Sequence, residues 1–239
     1  MNAGYPPIMD PPKDKNKEVA TSFSYSGIKL FQQCPKKYYH LKIAKDFKNE
    51  GTTATNYGTD VHKAAEDFIG EGIAIPEKYA YMKPIMKALN DIPGKKFVEM
   101  GLGLKRNEGK YTPCNFTSKD FWYRGIADLV IIDDELAWLV DYKTSKNAKY
   151  ADTNQLDLLA GALFIHFPRV REVRAALAFV VSGEFISKNY YFENTQKYIE
   201  TMQPELNRLE TAMATEVWNP ISGPLCKFCP VKTCAHNRG

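Results

Sequence analysis

Long apolar runs are missing from this sequence of 239 residues, and none approaches the roughly 20 residues that a membrane span requires. The N-terminus lacks the apolar core of a signal peptide, so we expect a cytoplasmic protein, in the host cytoplasm if a phage encodes it, with no membrane contact. The formal net charge is only +4, which permits a polyanionic partner without requiring one. No Walker-type GxxxxGK stretch is present, which argues against a helicase or ATPase motor.

Cysteine is also scarce, with five residues that cluster toward the C-terminus. An odd number argues against a disulfide framework and favours metal binding. The tail carries Cys226, Cys229 and Cys234 in a C-x2-C-x4-C pattern, and Cys34 offers a remote fourth thiol. Four thiolates suit either Zn²⁺ or a 4Fe–4S cluster, whereas His236 in place of Cys34 would give a local zinc knuckle.

What is present indicates an ordinary globular chain, 44% hydrophobic and 25% charged. This composition and length suit one α/β domain. Residues 1–20 are rich in proline and alternating charge, which predicts a flexible N-terminal extension. We therefore expect a single domain over residues 21–239, in which residues 220–239 form the cysteine tail.

The most informative stretch is a predicted β-hairpin. Two apolar runs, Ile126–Ile132 and Leu136–Tyr142, flank the acidic turn Asp133–Glu135. Their Val, Ile, Leu, Trp and Tyr content favours strands. Because both runs are apolar on both faces, we expect central strands that are covered on each side.

Three charged residues interrupt this apolar background: Asp128, Asp141 and Lys143. A two-residue loop at Asp134-Glu135 places Asp128 directly opposite Asp141, and a loop at Asp133-Asp134 shifts the pairing by two yet keeps both on one face. Adjacent carboxylates repel unless a cation lies between them, and hard oxygen ligands suit Mg²⁺ or Mn²⁺. A neighbouring lysine can orient a metal-bound water. The alternative is a salt-bridged hairpin with solvated ends.

Two further candidates lie upstream of the hairpin. The amphipathic stretch Gly58–Gly70 predicts a helix with His62 on its inward half, where a hydrogen-bonded core histidine is the usual outcome. The alternating stretch Lys95–Lys105 predicts the first strand of the sheet, and glycines beside Glu99 leave room for a close approach. A plain surface glutamate is the alternative for Glu99.

The remaining segments complete an α/β pattern. We predict a loop over Asn107–Asp120 with a lone free thiol at Cys114, and a helix that starts near Asp152 or Thr153 and carries Gln155 in its first turn. After this helix we predict strands at Val173–Val181 and Ile186–Phe192, and then a long helix at Thr195–Trp218.

Several of these residues together resemble the PD-(D/E)xK nuclease superfamily, and more narrowly its RecB-like exonuclease branch, which includes phage exonucleases and CRISPR adaptation nucleases. The resemblance rests on the order of five short motifs: C-P-x-x-Y at Cys34–Tyr38, G-x-x-x-H at Gly58–His62, G-x-x-D at Gly125–Asp128, D-x-K at Asp141–Lys143, and the C-terminal cysteines. Gln155 matches the first residue of the Q-x-x-x-Y motif of the family. Leu159 departs from that motif, because the family has tyrosine there.

The resemblance implies a three-layer α/β/α restriction-endonuclease-like core with a mixed central sheet, in which a metal-bound four-cysteine staple joins the N- and C-terminal segments. It implies a metal-dependent deoxyribonuclease that acts as an exonuclease on DNA ends in recombination, repair or phage DNA processing. DNA is the expected partner, with a recombination or replication protein as a further candidate. The implied catalytic residues are Asp128, Asp141, Lys143 and Gln155.

The resemblance also assigns ligands to two sites. The implied ligands of Mg²⁺ or Mn²⁺ are His62, Glu99, Asp128, Asp141 and the Tyr142 carbonyl. The implied ligands of a 4Fe–4S cluster, with Zn²⁺ as the alternative, are Cys34, Cys226, Cys229 and Cys234. Two other classes of function stay open: a DNA-binding module that has lost catalysis, and a zinc-stapled structural adaptor.

Overall fold

A computed structural model describes residues 22–48, 53–149 and 151–239. The predicted extension over residues 1–20 lies outside the described residues. The α-helices are α1 Tyr25–Gln33, α2 Pro35–Tyr38, α3 Thr53–Glu71, α4 Lys83–Asn90, α5 Asn154–His166, α6 Thr195–Ile199 and α7 Gln203–Thr215. The strands are β1 Lys95–Asn107, β2 Lys110–Cys114, β3 Tyr123–Asp133, β4 Leu136–Lys143, β5 Glu172–Phe179 and β6 Glu184–Tyr191.

These strands form one six-stranded mixed sheet in the order β2-β1-β3-β4-β5-β6. Neighbouring strands are antiparallel except β4 and β5, which are parallel and connected through α5. Antiparallel neighbours need only short connections, whereas a parallel pair requires a crossover, which α5 supplies here.

Hydrophobic clusters cover both faces of this sheet. One cluster packs side chains of α3 and α4, such as Val61 and Met86, against Leu129 of β3. The other packs α5 and α7 against the opposite face, where Val130 and Leu139 are fully buried. The expectation that β3 and β4 are central strands covered on each side is therefore confirmed.

The β3–β4 hairpin has one of the two predicted registers, the one with its loop at Asp134-Glu135. Asp133 pairs with Leu136, so the loop is Asp134-Glu135, and Asp134 has a left-handed φ of 51°. Two-residue hairpin loops favour such φ values because the turn then matches the twist of the strands. Away from the turn, the last backbone pair of the two strands is Leu129 with Val140, and one further step sets Asp128 opposite Asp141.

The β1–β3 ladder is irregular at Glu99. Val98 pairs with Leu129 and Met100 pairs with Ala127, so Glu99 stands opposite Asp128 between them. Glu99 has a left-handed φ of 48°. Val98 and Leu129 pack on the α3 side, whereas Met100 and Ala127 pack on the α5 side. Side chains two residues apart normally lie on the same face of a strand, but here they lie on opposite faces of the sheet. Glu99 and Asp128 are the residues at which this change of face occurs.

Two predicted segments differ from the structure. The predicted loop Asn107–Asp120 contains strand β2, which pairs with the end of β1 from Gly103↔Cys114 to Asn107↔Lys110. The predicted helix Thr195–Trp218 is instead split by a 3₁₀ turn, and α7 starts with Pro204 in its first turn. Proline lacks an amide hydrogen and suits a helix start, so the chain begins a new helix there. None of the helices that the structure describes has the length and apolarity to cross a bilayer.

Aromatic packing joins the two ends of the described chain. Trp218, just after α7, stacks on Tyr38 at a centroid distance of 6.1 Å and meets Phe31 edge-on at 6.4 Å. Tyr39 also contacts Trp218 at 5.3 Å. The tyrosine of the C-P-x-x-Y motif is therefore buried against the C-terminal segment rather than presented to solvent.

Candidate active site

Three carboxylates lie at one level across three neighbouring strands. Glu99 of β1 is opposite Asp128 of β3, and the hairpin register sets Asp128 opposite Asp141 of β4. Asp128 is 8% exposed and Asp141 is 3% exposed, so both carboxylates are taken out of bulk water. Burying charge without a partner is unfavourable, so their surroundings must compensate for it.

Helix α3 adds a histidine to this row. His62 Nδ1 lies 3.3 Å from Asp128 Oδ1. Ligand atoms of His62, Glu99 and Asp128 all lie within 4.8 Å of one another, which is the spacing of side chains that can share one metal ion. Asp141 is not a member of this group. Imidazole nitrogen and carboxylate oxygen together suit Mn²⁺ and, with water, Mg²⁺.

Asp128 is fixed by the hairpin as well as by His62. Its Oδ2 accepts a hydrogen bond of 2.6 Å from the Tyr142 backbone amide, just beyond the last backbone pair of the two strands. The Tyr142 ring meets the His62 ring edge-on at 5.8 Å. The metal-binding role of the Tyr142 carbonyl stays a prediction.

Asp141 belongs to a second set of contacts on the α5 side. Its Oδ1 accepts a hydrogen bond of 2.5 Å from Gln155 Nε2, and Lys143 Nζ donates to Gln155 Oε1 at 3.0 Å. Lys143 Nζ also lies 2.5 Å from Asp141 Oδ2, as an ion pair. Gln155 therefore links the two predicted catalytic residues of the D-x-K motif.

The charges in this cluster shift one another's protonation. Burial raises the pKa of Asp141, and the Asp128 charge raises it further against the opposing effect of Lys143. Partial burial and the Asp128 charge likewise raise the pKa of Glu99. Burial lowers the pKa of His62, but its hydrogen bond and charge interaction with Asp128 outweigh this effect and leave the pKa raised. All three shifts have the direction expected where negative charge is crowded, and a bound cation would relieve the crowding.

The four predicted cluster ligands Cys34, Cys226, Cys229 and Cys234 line one cavity between the chain ends. Two backbone amides point at sulfur: Ile221 N lies 3.4 Å from Cys34 Sγ, and Gly223 N lies 3.4 Å from Cys226 Sγ. His236 lines the same cavity. The cavity therefore brings the four thiols to one surface, but in the described part of the chain they do not form a metal-sized group of ligand atoms like that of His62, Glu99 and Asp128.

One residue near the site was not singled out by sequence reasoning. Tyr123, at the start of β3, is 1% exposed, and its hydroxyl has no hydrogen-bond partner. In the sequence it stands among apolar strand residues, where an aromatic side chain indicates only core packing. The signal that could have identified it is its place two residues before Gly125, whose missing side chain leaves space for the hydroxyl.

Comparisons with known proteins identify a family and solved structures to which the chain is similar. The family model of the PD-(D/E)XK nuclease superfamily matches residues 22–234. A crystal structure from Eubacterium rectale, described as a "Putative exonuclease", is similar over 97% of this chain and 95% of that chain, with a TM-score of 0.50 and 13% sequence identity. The crystal structure of SSO0001 covers 92% of this chain and 88% of its own, with 13% identity and a TM-score of 0.41. No curated protein matches the sequence significantly.

Proposed function

The chain belongs to the PD-(D/E)XK nuclease superfamily, and we propose that it is a divalent-metal-dependent deoxyribonuclease, an exonuclease that acts on DNA ends in recombination, repair or phage DNA processing. The observation that carries this proposal is the convergence of His62, Glu99 and Asp128 within 4.8 Å, beside the Asp141–Lys143 pair. The description of the Eubacterium rectale structure as a "Putative exonuclease" agrees with the choice of an exonuclease.

The donor set of this cluster fits Mg²⁺ or Mn²⁺. His62, Glu99 and Asp128 would hold the ion, with Asp141 as the adjoining carboxylate. A bound ion of this kind polarises the scissile phosphate and makes its bound water more acidic. The hydrogen bond from the Tyr142 amide holds Asp128 in place, so the carboxylate is oriented before any ligand binds.

Lys143 and Gln155 would act on the attacking water. The Lys143 ammonium is one-third exposed, so it can reach solvent and substrate while Asp141 and Gln155 hold it. In that position it would orient the water and offset charge that develops on the phosphate. Gln155 fixes Lys143 and Asp141 relative to each other, since one amide group contacts both.

The test is degradation of end-labelled linear DNA with Mn²⁺, Mg²⁺ or EDTA, using wild type, Asp141→Asn and Lys143→Ala. We expect metal-dependent release of the label, and a loss of at least about 100-fold in rate in either variant because each removes a charge from the reacting centre. Asp134→Asn is the matched control, because Asp134 is an exposed carboxylate in the turn of the same hairpin.

Two outcomes would contradict this proposal. Wild type that is inert on linear, circular and single-stranded DNA with either metal would leave a binding or adaptor role as the better account. Rapid cleavage of circular DNA would replace the exonuclease with an endonuclease. If Lys143→Ala kept full activity, the nuclease would stand but this assignment of its active site would not.

We further propose that the four-cysteine cavity holds a 4Fe–4S cluster, with Zn²⁺ as the alternative. Its support is the presence of four thiols in one cavity together with amide donors directed at two of the sulfurs. Such a site would be structural, since it would join α1 and α2 to the C-terminal tail.

The cysteine proposal is tested by measuring iron and zinc in anaerobically purified wild type, Cys229→Ser and Cys114→Ser proteins. We expect about four irons per wild-type chain, little in Cys229→Ser, and the wild-type value in Cys114→Ser. Cys114 is the matched control, because it is the fifth cysteine and lies at the end of β2, outside the cavity. One zinc per chain would select Zn²⁺ instead of the cluster. If wild type contains neither iron nor zinc, the proposal of a thiolate metal site is wrong.

A further inference from the structure

The two segments that meet at the cysteine cavity are strongly basic. Residues 25–45, which include α1 and α2, and residues 217–239, which form the C-terminal tail, together contain eight lysines and arginines and no aspartate or glutamate. The whole chain has a formal net charge of only +4, so the remainder of the sequence is net negative. Charge that is segregated in this way favours a negatively charged partner at the basic segments.

The fold brings these two segments side by side. Ile221 N lies 3.4 Å from Cys34 Sγ. Lys36 and Lys37 of α2 line the same cavity as Ile221 and Leu225 of the tail. Neither lysine forms an ion pair with a carboxylate among the residues that the structure describes. The positive charge beside the cavity is therefore left to an external anion.

The tail also exposes large apolar side chains. In the described part of the chain eleven such side chains are exposed, and four of them lie between residues 217 and 228. These four are Val217, Ile221, Leu225 and Phe228, and the exposed fraction reaches 59% for Leu225 and 73% for Phe228. Exposed apolar residues that are scattered singly are ordinary, whereas a cluster of them marks a surface that a partner covers.

Cations accompany these apolar side chains. Lys227 Nζ lies 4.8 Å from the centroid of the Phe228 ring, and both residues belong to the 3₁₀ turn Pro224–Phe228 that also carries Leu225. Apolar anchors bordered by charged residues are the usual anatomy of a protein interface. We call this set the tail surface, and it consists of Lys36, Lys37, Ile221, Leu225, Lys227 and Phe228.

The composition of the tail surface distinguishes between two kinds of negatively charged partner. A nucleic acid is bound by cations at its phosphates and by flat rings at its bases. The aliphatic side chains of Ile221 and Leu225 supply neither contact, and their burial is favourable only against other apolar groups. A protein segment that combines acidic and apolar side chains matches both the charge and the apolar residues of this surface.

We propose that the tail surface binds an acidic segment of a partner protein. Apolar side chains of that segment pack on the apolar residues of the surface, chiefly Leu225 and Phe228, and its carboxylates pair with the lysines of α2 and with Lys227. The inference goes beyond the proposed nuclease function and does not depend on it, since no residue of the tail surface belongs to the candidate active site.

The experiment selects binders from a library of random short peptides displayed on phage, with the anaerobically purified full-length protein as the target. Selected peptides are then labelled, and Kd is measured by fluorescence anisotropy for wild type, Phe228→Ser and Lys36→Glu. We expect selected peptides to be enriched in Asp, Glu, Leu and Phe. Each variant should raise Kd about tenfold or more, because one removes an apolar anchor and the other reverses a charge. Added salt should weaken binding to wild type.

Matched controls come from exposed residues elsewhere in the fold. Phe185→Ser on β6 and Lys87→Glu on α4 change the same residue types outside the cavity, and both should bind like wild type. Iron and zinc contents and melting temperatures are measured for every variant. Because Phe228 is mostly exposed, Phe228→Ser should keep the wild-type values, so that its loss of affinity reports on the surface itself.

Several outcomes would overturn the proposal. Selected peptides without an excess of acidic residues, or with equal affinity for wild type and Phe228→Ser, would show that the tail surface does not dock such a segment. DNA binding that weakens in Phe228→Ser, without peptide binding, would assign the surface to nucleic acid. A wild-type dimer that Phe228→Ser dissociates, measured by light scattering, would assign it to a second copy of the chain. Peptide binding that requires removal of residues 1–21 would assign it to that segment.

Discussion

Glu99, Asp128 and Asp141 repel one another, and the fold keeps them at one level all the same. Part of the compensation is built in: His62 faces Asp128, and Lys143 faces Asp141. Glu99 shares His62 with Asp128, since ligand atoms of the three residues lie within 4.8 Å of one another, and its backbone is in the left-handed region at φ 48°. Unfavourable backbone conformations of non-glycine residues are concentrated at functional sites, where surrounding structure holds them.

Glu99→Gln should therefore stabilise the metal-free protein and weaken its response to metal. Burial and Asp128 raise the pKa of Glu99, so the folded protein binds this proton more tightly than the unfolded chain. Its contribution to stability is present below the pKa of an unfolded glutamate and is lost as pH rises through the folded pKa. In EDTA the variant should melt above wild type at neutral pH, and the difference should vanish at acidic pH.

The same melting curves with Mn²⁺ test Glu99 as a ligand. Ligand binding raises stability only through affinity for the folded state, so the Mn²⁺-induced rise should be smaller in Glu99→Gln than in wild type. Glu108→Gln is the control, since Glu108 is also exposed and has the same φ of 48° but lies in the β1–β2 turn rather than opposite Asp128. A full Mn²⁺ response in Glu99→Gln would show that Glu99 does not bind the ion.

Gly125 is sensitive for a different reason, which is the space that its missing side chain leaves. Gly125→Ala should lower stability by about 1–3 kcal/mol because the new methyl group overlaps the Tyr123 hydroxyl and crowds Leu159. Adding Tyr123→Phe should restore part of the loss, since the hydroxyl is the closest atom. Urea unfolding of both single variants and the double variant measures this coupling. If the stability changes of the two single variants simply add in the double variant, the proposed overlap of the alanine methyl group with the Tyr123 hydroxyl is refuted.

For individual residues, the sequence predicts which residues stand opposite each other on neighbouring strands better than it predicts which side chains touch. The opposition of Asp128 and Asp141 follows from a two-residue loop, because strand period and loop length fix it. The position of Glu99 opposite Asp128 depends on the β1–β3 register and on the irregular pairing at Glu99, which no pattern in the sequence predicts. The unpaired Tyr123 hydroxyl was not predicted, since its surroundings depend on β3 and α5 meeting at Gly125.

Two helices contribute side chains to the site: α3 carries His62, and α5 carries Gln155. Helix α5 is tied to β6 by a buried polar contact: Asp157 Oδ1 accepts from Lys188 Nζ and from the Tyr190 hydroxyl, each at 2.6 Å. Asp157 Oδ2 accepts more weakly from Thr201, at 3.3 Å. These bonds fix the rotation of α5, and Gln155 lies two residues before Asp157.

Two buried tyrosines make a matched pair for testing this anchor. Tyr190→Phe should lower the free energy of unfolding by about 1.5–3 kcal/mol, because it removes a hydrogen bond to a charged group. Tyr123→Phe should not lower it, because that hydroxyl has no partner in the fold. Urea unfolding of the two variants gives the comparison directly. Equal changes in the free energy of unfolding of the two variants would mean that the Asp157–Tyr190 hydrogen bond does not contribute to stability.

The sequence predicted the strands that are buried on both faces, and it did not predict a strand that forms only through pairing with a neighbour. The β3–β4 hairpin was predicted because its apolar runs have no other stable placement. Strand β2 was missed, since the polar stretch Lys110–Cys114 becomes a strand only by pairing with the end of β1. The break before α7 was missed although Pro204 was visible, because proline in the first turn of a helix and within one give the same local pattern.

At the scale of the whole molecule, the two ends of the described chain meet at the cysteine cavity. Cys34 and Ile221 are in contact across 187 positions, and Trp218 packs against Phe31 and Tyr38 beside them. A contact of this separation closes most of the chain into one loop, so a covalent or metal link there restricts the unfolded state strongly. The aromatic contacts set these segments side by side, and the four thiols line the cavity between them.

If Cys34 is a metal ligand, Cys34→Ser should loosen both ends together. Amides of α1 and α2 and amides of the tail should lose hydrogen-exchange protection in parallel, while amides of β3 and β4 keep theirs, because the central strands do not depend on the junction. Cys114→Ser is the control and should match wild type. If the tail and its metal content remain unchanged in Cys34→Ser, the site is local, and His236, which lines the same cavity, is then the better fourth ligand.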